Sequence, residues 1–180
     1  HVRSNLAGER AVAAAGGAFA VLRTSWVYGI HGVNFVKKIL KLAQDRETLK
    51  IVDDQIGAPT SARYLADATA SLLAQAGGAL AGLLGKRGGV YHCCCGGETS
   101  WFGFTQAVVE SARAAGMSLK VSQVLPIASS EFPTPARRPL NSRMNCDRLR
   151  QTFGVVAPAW QDALADTLPV LLRYEFGVGR

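Results

Sequence analysis

Apolar positions along the chain change their spacing in a regular way. From Ser4 to Ala15 they recur at helical intervals in an Ala-rich stretch, and Gly16-Gly17 closes it as a C-terminal stop. Phe19 to Thr24 is a short continuous apolar run of strand type, followed by Ser25-Trp26-Val27-Tyr28-Gly29. Asn34 is placed to cap a helix from Phe35 to about Asp45, with Phe35, Ile39 and Leu42 or Ala43 on one stripe. Leu49 to Val52 is a second short strand. It leads into the loop Asp53 to Thr60, and Ser61 starts a helix from Ala62 to about Gln75.

The Gly- and Ala-rich piece from Gly77 to Gly89 reads as a loop with room for a helical turn. Gly89 to Cys93 reads as a buried strand. Thr99 or Ser100 caps a helix running to about Ala115. Leu119 to Ile127 is strand-like, and Ser129 to Pro139 is a Pro-rich loop. Helices near Asp147 to Thr152 and from Trp160 to about Tyr174 complete the pattern. Helices alternating with short apolar strands predict an α/β fold, in which ligands bind past the carboxyl ends of parallel strands.

Composition narrows the class. The chain has 180 residues, of which 48% are hydrophobic and 18% charged, enough for a packed core and too apolar for general disorder. Its longest uncharged stretch, Ala68 to Gly85, is broken by Thr69, Ser71, Gln75 and several glycines, so no membrane span is expected. The chain opens on His1, directly on a helix and without a signal peptide, and reads as a piece of a longer protein.

A net charge of +7 raises the question of nucleic acid. The cations are scattered in small groups, Lys37-Lys38-Lys41, Lys86-Arg87 and Arg137-Arg138, without interleaved aromatics. No specific nucleic-acid partner is expected. The run Cys93-Cys94-Cys95 suggests a metal cluster at first glance, but neighbours on a strand point to opposite faces, and zinc thiolates are usually separated by a turn. Small thiols on a core strand are the expectation, no metal is assigned, and reduced cysteines point to the cytoplasm.

Three loops combine polar groups with backbone freedom. In Arg23 to Gly29, Trp26 offers a flat face for a sugar or nicotinamide ring, and a core position is the competing reading. In Asp54 to Thr60, Gln55 both donates and accepts, and Gly57 permits a close approach; a rigid turn is the alternative. In Pro133 to Pro139, closely spaced prolines could hold a guanidinium against diphosphate oxygens, with a solvated arginine pair as the alternative.

The order and wording of these blocks carry more than any one of them. Arg23 to Gly29, Asn34-Phe35-Val36, Val52 to Arg63, Tyr91-His92, Gly97 to Trp101, and Pro133 to Pro139 with Asn141-Ser142 together resemble the dTDP-4-dehydrorhamnose reductases. These are extended short-chain dehydrogenase/reductases, and the likeness covers nearly the whole chain. It implies the C-terminal part of a Rossmann-like fold with its smaller substrate-binding domain. Residues 1–30 would end the dinucleotide-binding domain, 31–180 would form mainly the sugar-nucleotide region, and strand 89–95 would return to the Rossmann sheet.

The resemblance implies hydride transfer from NADPH (or NADH) to the C4 ketone of dTDP-6-deoxy-L-lyxo-4-hexulose, giving dTDP-L-rhamnose. It places Ser25 and Trp26 at the cofactor, and Trp26, Tyr28, Asn34, Gln55 and Arg138 on the dTDP-sugar side, with Arg138 at the diphosphate. The family also suggests a homodimer and magnesium between subunits, for which no carboxylate set is evident here.

Two departures stand out. The family's Tyr-x-x-x-Lys-Leu-Ala-Gly-Glu aligns on Leu6 to Glu9, so His1 falls on the catalytic Tyr and Asn5 on the Lys. An imidazole, with an unperturbed pKa of about 6.5, can donate a proton, but Asn5 cannot supply the charge of a Lys. The family's Gly-rich pyrophosphate turn also has no counterpart in residues 1–180. Poor reductase chemistry in this chain is therefore expected, and a non-catalytic interaction or regulatory module is the alternative.

Overall fold

The computed structural model describes residues 2–134 and 138–179. Its first element, α1 (Val2–Ala14), is exposed along nearly its whole length and is tied to the next by an ion pair, Glu9 to Arg23. Strand β1 (Ala20–Arg23) leads through a sharp turn into the two-residue β2 (Val27–Tyr28). Helix α2 (Phe35–Asp45) starts where its cap predicts: Asn34 Oδ1 accepts from the Lys37 amide at 3.3 Å. It buries Ile39 and Ala43 of the expected stripe together with Val36, Lys37 and Leu40. Phe35 and Leu42 pack at the edge of that face.

Strand β3 (Thr48–Val52) is followed by two short strands inside the expected loop, β4 (Ile56–Gly57) and β5 (Thr60–Ser61). Ser61 Oγ caps α3 (Ala62–Ala74) by accepting from the Tyr64 amide at 3.1 Å. The Gly-rich piece after it is more regular than the sequence suggests, because Leu80–Arg87 forms a complete helix, α4. Strand β6 (Gly89–His92) and the short β7 (Thr99–Ser100) come next. Helix α5 (Trp101–Ala114) is capped by Ser100. Strand β8 is confined to Gln123–Ile127, so Leu119 to Ser122 lie outside the strand expected there. The Pro-rich loop contains one 3-10 turn, Ser129–Glu131, before α6 (Asp147–Phe153) and α7 (Trp160–Leu171), and α7 ends in a π turn over Leu172–Phe176.

The strands form four pairs, three parallel (β1 with β6, β2 with β5, β3 with β8) and one antiparallel (β4 with β7). Parallel pairs need crossovers, and helices supply them. Helix α5 lies at the centre, against α2 on one side and α7 on another, with β3 and β8 below. Its inward residues Phe104, Thr105, Val108 and Ala112 are fully enclosed. Tyr28, Leu40, Leu149, Leu164 and Leu171 join the same core. The α/β class expected from the alternating periodicities is the one observed. Among the described residues, no helix is long and apolar enough to cross a membrane.

Candidate functional site

Strand β1 runs out at Arg23, and the chain turns immediately. Thr24 and Ser25 bury their hydroxyls there with no hydrogen-bond partner among the described residues. Trp26 makes the turn in a left-handed conformation, φ 51°, which a bulky L residue seldom adopts. The turn is held by the Thr60 amide, which donates to the Trp26 carbonyl at 3.1 Å. The indole lies flat on Trp101, with ring centroids 3.6 Å apart and planes 8° from parallel. Phe35 leans on Trp101 at 4.4 Å. Gly57 lets the indole come this close, since a Cβ there would stand 2.7 Å from Trp26 Cε2. The sequence suggested that Gly57 lets the backbone approach a ligand closely; in the structure the chain's own indole occupies that space.

Polar groups fix the loops around the indoles. Ser100 Oγ accepts from the Gly103 amide at 2.9 Å and donates to Asp53 Oδ1 at 2.5 Å, so the start of α5 is pinned to the end of β3. Asp54 accepts from both the amide and the hydroxyl of Ser129, which hold its carboxyl below the ordinary carboxylate range. Gln55 Nε2 donates to Ser129 Oγ at 2.9 Å. The Ile56 amide donates to Leu140 O at 2.8 Å, and the Ser142 amide to Ile56 O at 2.7 Å. The loop containing Gln55 thus grips both ends of the segment that carries Arg138. Arg138 itself is exposed and makes no ion pair among the described residues. Nearby, Arg143 pairs with Glu98 through two hydrogen bonds, one of them at 3.0 Å, and lowers that carboxyl's pKa.

A cavity of about 520 Å³ opens beside this wall, lined among others by Tyr28, Asn34, Arg63, Asp166 and Thr167. Trp26 does not line it, so the structure divides the residues expected at one substrate site. Tyr28 is only 2% exposed and its ring packs 5.4 Å from Phe104. Burial raises its phenol well above the ordinary value, and the neighbouring Thr167 hydroxyl offsets only part of this. The Asn34 amide is committed to the backbone: besides capping α2 it donates to Gly29 O at 2.8 Å. Asn5 is exposed on α1, and His1 lies outside the described residues.

Trp101 and Asp53 were not singled out individually from the sequence, and Ser100 was read only as a candidate helix cap. The signal for them lay in the string Gly97 to Trp101, where a helix cap directly precedes an aromatic. The three adjacent cysteines are buried as expected. Cys93 and Cys95 join the main core, whereas Cys94 faces Cys146 with 3.4 Å between the sulfurs. Among the described residues, no group of three or more His, Cys, Asp or Glu is arranged to hold a metal ion.

Comparison with known proteins adds a lineage to this geometry. The RmlD substrate binding domain model matches residues 1–172. The chain belongs to that family. The dTDP-4-dehydrorhamnose reductase of Burkholderia thailandensis is 45% identical over 168 residues, covering 89% of this chain and 54% of the relative. That of Shigella flexneri is 41% identical over 158 residues, covering 88% of this chain and 51% of the relative. Among solved structures, the dTDP-4-dehydrorhamnose reductase of Bacillus anthracis in complex with NADP superposes with a TM-score of 0.79 at 32% identity, covering 93% of this chain and 54% of that one. This RmlD-family chain spans about half the length of the curated relatives it matches. WbmH of Bordetella bronchiseptica, in complex with NAD+, shares the fold at 20% identity with a TM-score of 0.68.

Proposed function

We propose that this chain supplies the sugar-nucleotide side of a dTDP-4-dehydrorhamnose reductase. The observation that carries the reading is the family match over residues 1–172, which includes the indole wall at the end of β1. In this reading residues 1–30 close the dinucleotide-binding domain, 31–180 are mainly the sugar-nucleotide region, and the β1–β6 pair belongs to the dinucleotide sheet. The parallel register of Ala20 with Gly89 supports that last assignment.

The residues present fit one end of a nicotinamide cofactor. The unpartnered hydroxyls of Thr24 and Ser25, buried at the carboxyl end of a parallel strand, suit the polar edge of a nicotinamide or its ribose. NADPH supplies the hydride that reduces the C4 ketone of dTDP-6-deoxy-L-lyxo-4-hexulose. Trp26, stacked and rigid, walls the sugar and excludes water from it. Arg138, on the segment gripped by the Gln55 loop, meets the diphosphate of the dTDP-sugar with its guanidinium fork. Tyr28 from within the core and Asn34 from the partly buried cap of α2 both line the cavity. In a cytoplasmic enzyme of this kind the four thiols rest in the reduced form.

Calorimetric titration with dTDP-rhamnose tests the reading. Binding is expected, and Arg138→Ala should weaken it by on the order of 1–3 kcal/mol through loss of a charge-assisted hydrogen bond. Absence of binding overturns the assignment, and an unchanged affinity in the variant removes Arg138 from the site.

One observation favours a second reading, a non-catalytic partner subunit: Asn5 stands where the family carries its catalytic Lys. That reading expects stable co-purification with another enzyme and no ketone reduction.

A further inference from the structure

Cys94 and Cys146 are separated by 52 residues in sequence yet meet with their sulfurs 3.4 Å apart. Cys94 lies two residues past the end of β6 and is 2% exposed; Cys146 occupies the position before α6 and is half-buried. Backbone groups hold the two thiols in place. The Cys94 amide points at Cys146 Sγ at 3.4 Å, the Cys146 thiol reaches the Cys94 carbonyl at 3.7 Å, and both thiols lie within 4.0 Å of the Met144 carbonyl. The other two cysteines are directed elsewhere. Cys93 faces Tyr64 in the core, and the Cys95 amide donates to Thr60 Oγ1 at 3.3 Å.

We propose that Cys94 and Cys146 form a reversible redox site: a hydroperoxide oxidises the pair to an intramolecular disulfide, and a dithiol reductant restores it. From 3.4 Å the sulfurs need to close by only about 1.4 Å to reach bonding distance.

The chemistry divides the roles. The Cys94 side chain and its backbone amide, each 3.4 Å from the Cys146 sulfur, lower the Cys146 pKa against its own burial and the charge of Asp147. Cys94, beside Cys146 and buried, is pushed up, and the less buried Cys146 is the thiol a reagent meets first. Cys146 is therefore the attacking thiolate. Its sulfur takes one peroxide oxygen as the O–O bond breaks, giving a sulfenic acid and an alkoxide or hydroxide that is protonated to alcohol or water. The Cys94 sulfur then attacks the sulfenic sulfur, the S–O bond breaks, and the departing hydroxide leaves as water with the Cys94 proton. Two thiols lose two electrons and the hydroperoxide gains them.

The bond would reach beyond the two sulfurs. Upstream of Cys146, Asn141 bridges to Ile56 and Leu140 accepts from the Ile56 amide, so the stretch from Leu140 to Cys146 runs from the Gln55 loop to β6. Oxidation would clamp that stretch covalently at its far end. Cytosolic disulfides of this type are usually transient and sensing, consistent with the reduced resting state proposed above.

The test uses the purified chain with hydrogen peroxide at small molar excess, followed by thiol counting and non-reducing peptide mapping. The four free thiols should fall to two. The intact mass should drop by about 2 Da, the peptides of Cys94 and Cys146 should be linked, and dithiothreitol should reverse all three changes. Cys146→Ser should abolish the mass loss, and Cys93→Ser should keep it. Amide exchange across 141–146 should slow on oxidation and recover on reduction. The proposal is overturned by a linkage through Cys93 or Cys95, by irreversible oxidation of Cys146 with Cys94 still free, by four thiols persisting under excess peroxide, or by unchanged exchange across 141–146. None of these outcomes depends on dTDP-sugar binding.

Discussion

Replacing Gly57 by Ala probes the aromatic wall directly. The added methyl would lie 2.7 Å from Trp26 Cε2 and 3.0 Å from both Cζ2 and Nε1. Ordinary carbon contacts begin near 3.5 Å, so the indole has to retreat by about 0.8 Å or more. It cannot move without disturbing its partner, because it already lies 3.6 Å from Trp101 with the planes 8° apart. Nor can the backbone yield easily, since Trp26 sits at φ 51° with its carbonyl held by the Thr60 amide. Overpacking of this kind costs about 1–3 kcal/mol. For a chain of this size the melting temperature should fall by on the order of 2–12 °C. Near-ultraviolet circular dichroism should lose part of the signal from the stacked indoles. Gly82→Ala provides a contrast of opposite sign: it lies within α4, a Cβ there meets nothing within 4 Å, and relief of the glycine penalty should stabilise by about 0.5–1 kcal/mol. If Gly57→Ala melts and absorbs as the parent does, the ring does not rest on Gly57 and the description of the wall is wrong.

Two further outcomes are expected. Asn34→Ala removes both the cap of α2 and the bond to Gly29 O, and should cost about 0.5–2 kcal/mol in denaturant unfolding; a change below a few tenths would show that the cap is not formed. Lys37 and Lys41 hold the Glu175 carboxyl below its ordinary pKa of 4.5, at 2.7 and 3.1 Å. A carboxylate depressed by folding stabilises above its unfolded pKa, and that contribution disappears as the pH falls below about 4.5. Denaturant midpoints measured against pH should therefore drop less steeply on the acid side for Glu175→Gln than for the parent, and parallel curves would refute the assignment.

What could be read from the sequence was local. The caps at Asn34, Ser61 and Ser100 lie one residue from the helices they start, so each signal and its consequence share one window. Helix α4 was harder to foresee because it lacks a side-chain cap and contains Gly82 and Gly85, and only Leu83 and Leu84 pack, partly buried, against the core. Strands β4 and β5 are two residues long and exist only through partners far away in sequence, which no periodicity can reveal. In the site, Trp26 was legible as a flat aromatic surface, but its left-handed backbone was not, because nothing marks an indole as tolerating that conformation. Gln55 could be read from its dual hydrogen-bonding capacity either as a ligand contact or as part of a rigid turn, and the resemblance placed it on the dTDP-sugar side. In the structure its amide donates to Ser129, a long-range contact that no local pattern signals. The thiols were expected on a core strand, but β6 ends at His92, so Cys93 to Cys95 follow the strand; their burial is as expected, and only folding brings Cys146 to Cys94.

The pattern of strand pairing also bears on how the chain reaches this state. Among the described residues no strand pairs with its immediate successor: Val27 meets Thr60, Ala20 meets Gly89, and Thr48 meets Gln123. Each pairing must close a long loop before any ladder bond forms, and the entropy of that closure precedes the reward. Folding should therefore be slow compared with helical proteins of equal length, with the locally capped helices forming early and the sheets last. During that interval the short strand edges stand open, which makes a newly made chain most vulnerable to misassociation before β6 has found β1.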